Sequence, residues 1–582
     1  MIVFMTAIKF SNQQVANTFN LIADLLEIKG ENIYKILAYR KVVDSLSEMS
    51  YEIYDVWQEG NLTSVPGVGK AIAEKIDELF TTGRLDFLEK LEAEVPPSLV
   101  ELLKIPDIGP KKVSLFWREL GITNLSELDT AAKSGQLRDL PGMGIKSEAK
   151  VLAGLEALAR RTDKIPLGKA LPFAYELVKY LNTIPGVEKL DLAGSLRRMK
   201  ATVGDLDLVV AIPDSSEIMD FFTSHPQVIN VIGKGLVKSS VEFDNNIRAQ
   251  LWAHPVDRFG TALQYATGSK NHNVRLRELA LKQGLSLSDQ SFLRQDGSEL
   301  LCAIEEQVYS TLGLPFIPPE LREDRGEVQA ALEGKLPVLI SREDFKSELH
   351  THTTWSDGKL SIKEMALEAI NRGLELLAIT DHSVSLGIAG GLSIEDLVAQ
   401  RREIEQVSNE LGGRIRIIQG CEVEIRADGS LDYPDEVLAR LDIVIASLHS
   451  GLRQPREQVT ARLMNAIRNP HVDTIAHPTG RMIPSREGAD LDMSVIMKAA
   501  LENNVALEIN SHPARLDLDD VHARKAIEMG ILLTINTDAH SASDLDLINF
   551  GIATARRGWV EPEHVINTWS SDRLISWLET RK

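Results

Sequence analysis

FKSELHTHTTWSDG (345–358) begins as a short extended run and ends with His350 and His352 two residues apart, with Asp357 close behind. On a β-strand residues i and i+2 point the same way, so both imidazoles leave one face at the strand's end. Downstream the pattern alternates. A helix is predicted over 361–373, a strand at LLAIT, a helix over 393–412 and strands at IRIIQGCEVEI and DIVIASLHS. A helix over 456–468, a strand at TIAHP, a helix over 492–503, a strand at ALEIN, a helix over 519–529 and a strand at LLTINTDAH follow. Repeated β-α units predict a parallel barrel with its active site at the C-terminal ends of the strands.

At those ends stand His350, His352, Asp357, His382 of TDH, Glu422, His449, His477 of AHP, and Asp538 and His540 of DAH. Any one histidine alone reads better as a hydrogen-bonded structural residue. Nine metal-capable groups at successive strand ends read instead as a multinuclear metal site. Imidazole and carboxylate ligands suit two or three divalent ions such as Mn²⁺, Zn²⁺ or Fe²⁺. Such a centre activates water and hydrolyses phosphoesters. Asp381 and His512 are candidates for orienting ligands, and Arg481 of HPTGR for contacting a phosphate.

The chain has 582 residues, which predicts several domains. Hydrophobic content of 43% with 25% charged residues excludes bulk disorder. The opening MIVFMTAIKF is too short and badly flanked for a signal peptide, and no later run reaches the roughly 18 apolar residues of a membrane helix. Cys302 and Cys421 are the only cysteines, so no disulfide framework is implied and a cytoplasmic location is expected. The net charge of −20 is unevenly spread. Residues 1–300 hold 35 Lys and Arg against 39 Asp and Glu, residues 301–582 hold 29 against 45, and residues 101–200 hold 17 against 12. A phosphate-binding face therefore remains available in the front half.

Three early segments repeat one design: LTSVPGVGKAIAEKI (62–76), LLKIPDIGPKKVSLF (102–116) and LRDLPGMGIKSEAKV (137–151). Each predicts a short helix, a Gly-rich hairpin and a second helix. The glycines Gly67, Gly69, Gly109, Gly142 and Gly144 permit the turn, and backbone N–H groups opening the second helix can hold a DNA phosphate without reading bases. These segments resemble the helix-hairpin-helix elements of DNA repair proteins.

LDLAGSLRRMKATVGDLDLVVAI (190–212) marks a change to α/β pattern. Asp205 and Asp207 share one side of a strand and can hold two Mg²⁺ or Mn²⁺ ions, while Gly194, Ser195 and Arg198 form a turn suited to phosphates. The run GS-x-RR followed by G-D-h-D-h-h resembles the nucleotidyltransferase signature of the DNA polymerase beta family. Over the whole chain the resemblance is to bacterial and archaeal family X DNA polymerases with a C-terminal polymerase-and-histidinol-phosphatase (PHP) domain.

That resemblance carries further expectations. AYRKV (38–42) and VPGVGKAIAEKIDEL (65–79) are similar to the family's lyase domain, which places Lys75 at the Schiff-base lysine. LQYATGSKNHNVRLRELA (263–280) resembles the nucleotide-binding loop and helix, with Tyr265, Gly268, Ser269 and Asn273 beside the incoming nucleotide and Arg275 and Arg277 close by; Ala266 departs from the usual aromatic. In the barrel, the family pattern implies one metal on His350, His352, Glu422 and Asp538. Glu422 would bridge to a second metal on His449 and His477, and Asp357, His382 and His540 would hold a third. The larger departure is Gln250 of RAQLWAHP, which stands where the family supplies a third catalytic Asp. An amide is a weak metal ligand and a very poor base, so weakened or absent polymerisation is expected. Asp244, in the turn DNN, lies too far along the strand to substitute.

The expected fold is multidomain, with N-terminal α-helical helix-hairpin-helix domains at 1–92 (lyase-like) and 93–166 (fingers-like). An α/β nucleotidyltransferase palm at 167–255, a thumb at 256–318, a linker at 319–342 and a distorted β/α PHP barrel at 343–582 follow. The expected function is DNA repair. The barrel would act as a metal-dependent 3′-5′ exonuclease or phosphoesterase on gapped, nicked or 3′-ended duplex, beside an impaired gap-filling module that takes a dNTP. Two other readings stay open: a nuclease delivered by a non-catalytic DNA-binding front, and a phosphatase acting on a small phosphomonoester.

Overall fold

The structure, a computed structural model, describes residues 10, 12–48, 53–105, 108–160, 164–245 and 247–580. Pro106 and Asp107 of the second hairpin lie outside the described residues. The chain divides into two compact units, Met1–Thr162 and Asp163–Lys582.

The first unit is helical. One continuous apolar cluster runs from Val15 to Leu155, so the two helical domains expected from the sequence share a core. The three repeats fold as hairpins leading into helices Lys70–Thr82, Pro110–Leu120 and Ile145–Arg160. The segment entering each hairpin is 3₁₀ rather than α, over Leu62–Ser64, Pro97–Lys104 and Leu137–Asp139.

In the second unit, the palm is a five-stranded sheet in the order Lys189–Leu192, Leu206–Ala211, Arg248–His254, Lys238–Phe243, Val228–Gly233. Strand Leu206–Ala211 pairs in parallel with Arg248–His254, and the register sets Asp207 opposite Gln250. Leu206, Leu208, Ala249 and Leu251 point into the palm core, which leaves the alternate residues Asp205, Asp207 and Gln250 on the other face.

Residues 319–342, read as a linker, are packed against the thumb. Leu321 and Ala331 join the thumb's apolar cluster. The fully buried Arg322 pairs with Glu305, and the fully buried Glu327 lies 2.7 Å from His272 Nδ1. The charges that suggested a solvated spacer are therefore paired inside the fold.

The barrel has seven parallel strands in chain order: Ser347–Glu348, Leu376–Ile379, Arg416–Glu424, Ile443–Ser447, Thr474–Ile475, Ala506–Asn510 and Leu533–Asn536. A parallel bridge between Thr351 and Ala539 brings the last strand's end back to the first. Alternation divides several of the strands between two cores. Leu377, Ile379, Val444 and Leu507 belong to the larger cluster, whereas Leu376, Ala378, Ile443, Ile445 and Ala506 cluster with Trp569, Leu574 and Leu578 of the C-terminal segment. A Cβ on Gly420 would come within 2.8 Å of the Ile443 carbonyl and of the Thr380 methyl, so glycine permits the close strand approach just before Glu422.

Candidate metal centre and nucleotidyl-transfer site

The structure gathers all nine barrel residues into one cluster. Glu422, 1% exposed, is its hub. Its Oε1 lies 2.9 Å from His477 Nε2 and 3.3 Å from His449 Nε2, and its Oε2 lies 2.8 Å from His382 Nδ1, 3.5 Å from His350 Nε2 and 3.7 Å from His352 Nε2. Asp538 Oδ1 stands 3.0 Å from His352 Nε2 and 3.6 Å from His350 Nε2, and Asp357 Oδ1 stands 3.3 Å from His540 Nε2 and 3.6 Å from His382 Nε2. Three groups have donor atoms close enough together for one ion each: His352, Asp357, His382 and His540; His350, His352 and Asp538; and His382, Glu422 and His449. Compared with the partition implied by resemblance, His352 and His382 each fall in two groups, Glu422 falls in one only, and His477 falls in none, although its Nε2 lies 2.9 Å from Glu422 Oε1.

The donor atoms themselves fit divalent ions. His350 Nε2, both ring nitrogens of His352, His382 Nδ1, His477 Nδ1 and Glu422 Oε2 are buried without a hydrogen-bond partner. His382 Nδ1 and Glu422 Oε2 are 2.8 Å apart, yet neither is aligned for a hydrogen bond. Buried polar atoms left unpaired are costly, and a shared cation resolves several at once. His477 and Asp538 also hold positive φ angles of 26° and 55°, a strained conformation of the sort concentrated at functional sites.

In the absence of cations, protons carry the charge balance. Burial disfavours ionisation of Glu422, but His449, His382 and His350 hold its carboxyl well below the usual range. Burial likewise opposes charge on His449 and His540. Glu422 and Glu424 nevertheless push His449 up to about 10, and Asp357 and Asp538 push His540 up to about 9. His352, buried beside His382 and His540, falls to about 3.

A surrounding layer fixes the rings. Asp381 accepts from Thr353 N and Oγ1 at 2.7 Å each and from Gln400 Nε2 at 2.7 Å, clamping the loop between His352 and Asp357. Glu508, not singled out in the sequence, pairs with His350 Nδ1 at 2.8 Å and accepts the His477 backbone N–H at 2.8 Å. Glu424 does the same for His449 Nδ1 at 2.9 Å. Their signal was a carboxylate beside apolar residues on a buried barrel strand. Glu508→Gln is expected to weaken metal binding about 10- to 100-fold, read by metal titration of the apoprotein. An unchanged affinity would show that His350 needs no such partner.

Arg481 does not face the cluster. Its Nε donates to Arg515 O at 2.7 Å and its Nη2 to Leu516 O, bracing the loop that follows Asn510. Arg515, on that loop, takes the position expected of Arg481, with Nε 3.7 Å from Asp538 Oδ2. His512 accepts the Ala514 N–H at Nδ1 and shapes the same loop.

In the palm, Gly194 has φ +60°, and a Cβ there would lie 2.2 Å from Asp207 Oδ2, so only glycine lets the GS turn lie against the carboxylate. Burial and the neighbouring Asp205 push Asp207 up to about 6. Gln250 Nε2 donates to Asp205 Oδ2 and so occupies one of the oxygens expected to hold metal. Asp244 lies exposed at the hairpin end. Arg198 Nη1 donates to Thr267 O at 2.5 Å, which sets the GS turn beside Gly268. Ser269 caps the helix Lys270–Lys282, and Asn273 Nδ2 donates to the carbonyl of Tyr265, whose side chain is 41% exposed. Arg275 pairs with Asp324 and Glu278, and Arg277 Nε donates to Asn273 O.

In the helical unit, Gly67 and Gly142 adopt left-handed φ of +83° and +73°. Gly69 and Gly109 cap their helices in extended conformation without a side-chain cap, and the space around Gly69, Gly109, Gly142 and Gly144 is open. Lys75 Nζ lies 5.0 Å from the Phe87 ring centre and 3.2 Å from Ala71 O.

Comparison with known proteins agrees with this layout. Family models match a helix-hairpin-helix domain at 10–85, a SAM-like helix-hairpin-helix tandem at 99–157, the DNA polymerase beta thumb at 262–323 and the PHP domain at 348–512. The DNA polymerase/3′-5′ exonuclease PolX of Bacillus subtilis (strain 168) is 38% identical over 572 residues, covering 97% of this chain and 99% of that protein. The chain belongs to the PolX family. The PolX barrel has separate relatives. A probable phosphatase of Caldanaerobacter subterraneus subsp. tengcongensis is 33% identical over 246 residues (40% of this chain, 91% of the relative), and one of Acetivibrio thermocellus is 35% identical over 247 residues (41% and 97%). The PolX thumb match runs through Glu323, in accord with the packed segment that the sequence suggested was a linker. Among the described residues, no helix is long and apolar enough to cross a membrane.

Proposed function

We propose that this PolX-family chain is a metal-dependent enzyme of DNA repair that removes nucleotides from 3′ ends in its barrel and holds an attenuated nucleotidyl-transfer site in its palm. The observation that carries the reading is Glu422, buried at the centre of five histidines, four of which carry buried ring nitrogens without a hydrogen-bond partner. The nine barrel residues would hold two or three ions, which when bound supply an activated water and charge for the scissile phosphate. Glu508, Glu424 and Asp381 keep the ligand rings and loop in place, and Arg515, 3.7 Å from Asp538, would meet a substrate phosphate. Gapped or nicked duplex is the substrate that the helix-hairpin-helix repeats suit, with dNTP as ligand of the palm. The test is 3′ resection of a gapped duplex in Mn²⁺ by wild type and His350→Ala. Loss of resection in the variant supports the centre; persistence refutes it.

Metal loading should release protons. At pH 7.5, His449 and His540 are protonated in the metal-free site and must lose those protons to bind a cation. Affinity for Mn²⁺ is therefore expected to rise between pH 7 and 9. Calorimetry in buffers of differing ionisation heat should show protons released, and none released would contradict these assignments. The two raised histidines also stabilise the metal-free fold fully below the unfolded pKa of about 6.5, a contribution lost as pH rises through 9 to 10.

DNA-backbone binding by the hairpins has its own test. Gly69→Asp and Gly109→Asp keep an extended cap residue and improve helix capping, yet put a carboxylate where a phosphate would sit. Each is expected to weaken duplex binding about fivefold without lowering Tm. Unchanged affinity in both would remove these hairpins from the DNA interface.

The reading of the front half as a non-catalytic delivery module keeps one specific support, the hydrogen bond that Gln250 makes to Asp205.

A further inference from the structure

The barrel reaches the GS turn of the palm through a buried arginine. Arg557, 4% exposed at the end of the barrel helix Ile548–Arg557, donates from Nη1 to the backbone carbonyl of Arg198 at 2.6 Å and to Glu323 Oε1 at 3.1 Å. Its Nη2 donates to Asp520 Oδ2 at 2.9 Å, an oxygen shared with Arg325 Nη1 at 2.8 Å. Glu323 Oε1 also accepts Arg198 Nε at 3.0 Å. A chain of charges thus runs from Asp520 of the barrel through Arg557 and Glu323 to the last arginine of GS-x-RR.

The consequence lies in how Arg198 is held. Its backbone carbonyl is fixed by Arg557, its Nε by Glu323 and its Nη1 by Thr267 O. These bonds orient the planar guanidinium, and Nη2 makes no hydrogen bond among the described residues. That leaves Nη2 open to an anion, while Nη1 is committed to Thr267 O next to Gly268. Glu323 alone could instead draw Arg198 into a two-bond carboxylate pair and turn Nη2 away. Arg557 prevents this by taking part of the Glu323 charge and by holding the Arg198 backbone.

We infer that Arg557 of the barrel is a positioning residue for nucleotide binding in the palm, acting on a triphosphate through Glu323 and Arg198. The inference rests on the proposed role of Arg198 as a phosphate contact, and one set of variants separates the two. The full chain is bound to a one-nucleotide gapped duplex with a dideoxy primer end in Mg²⁺, and the Kd of the matching dNTP is measured for wild type, Arg557→Met, Glu323→Gln, Arg198→Met and Arg557→Met/Arg198→Met. Arg557→Met is expected to raise the dNTP Kd about tenfold. It should add less than about twofold in the Arg198→Met background, because both act on one contact. Its 3′ resection rate should remain within about twofold of wild type. Glu323→Gln, which keeps the side chain's shape, should weaken dNTP binding like Arg557→Met and stands in if that variant folds poorly.

If Arg198→Met weakens dNTP while Arg557→Met and Glu323→Gln do not, or if the double variant shows additive losses, the positioning role is overturned and the reading of Arg198 survives. If Arg198→Met itself leaves the Kd unchanged, the reading of Arg198 fails and takes the inference with it.

Discussion

Glu422→Gln is expected to lower 3′-end hydrolysis by about 10³-fold or more, equivalent to roughly 4 kcal/mol of transition-state stabilisation. The argument is geometric. Each carboxylate oxygen of Glu422 lies within 3.7 Å of at least two ring nitrogens, so removing its charge disturbs every part of the cluster that it joins. The amide keeps the volume, which matters at a side chain 1% exposed, but it offers one neutral oxygen and turns an N–H₂ group toward imidazoles that need an anion or a cation. Metal content measured on the purified variant should fall in parallel. Binding of duplex DNA should hold, because the hairpin repeats lie in the separate helical unit. Resection within tenfold of wild type at full metal content would sink the assignment of Glu422 as the hub.

The barrel was legible from the sequence because its strands are short, apolar and evenly interrupted by helices, and its candidate ligands sit where strands end. His350 and His352 two residues apart, and Asp538 and His540 likewise, are local patterns that survive folding unchanged. What could not be read were the partners supplied from distant strands. Glu508 reaches His350 across 158 positions, and Arg515 replaces Arg481 at the cluster because Arg481 meets carbonyls 34 and 35 residues away. Segment 319–342 reads as a linker because prolines mix with charges there and no long apolar periodicity runs through it, and Arg322 and Glu327 are among those charges. Their partners, Glu305 and His272, become visible only after the thumb has folded around them. The single core of the helical unit was hidden in the same way, since repeats at similar spacing do not say whether they share packing. The palm motif placed Arg198 near phosphate chemistry, but nothing local showed that a barrel arginine some 360 residues later would hold its backbone.

Gln250→Asp is expected to raise templated nucleotide addition by about 10² to 10⁴-fold, the range that a positioned general base supplies. Strand register puts residue 250 directly opposite Asp207, and its side chain already reaches Asp205, so a carboxylate there would complete a three-acid face without moving the backbone. Two effects add. The variant removes the amide donor that now occupies Asp205 Oδ2, and it supplies an anion able to bind metal and to accept the primer hydroxyl's proton. A third acid beside Asp207, already pushed up to about 6, will hold that group's proton more firmly in the absence of metal. The gain should therefore be larger at pH 8 than at pH 6 and should grow with Mg²⁺ or Mn²⁺ concentration. Gln250→Asn, shorter but still neutral, should show no such gain. Single-turnover extension on a gapped duplex reads wild type and both variants, with His350→Ala added to suppress resection. Wild-type extension as fast as that of Gln250→Asp would show that this palm transfers nucleotides without the third carboxylate.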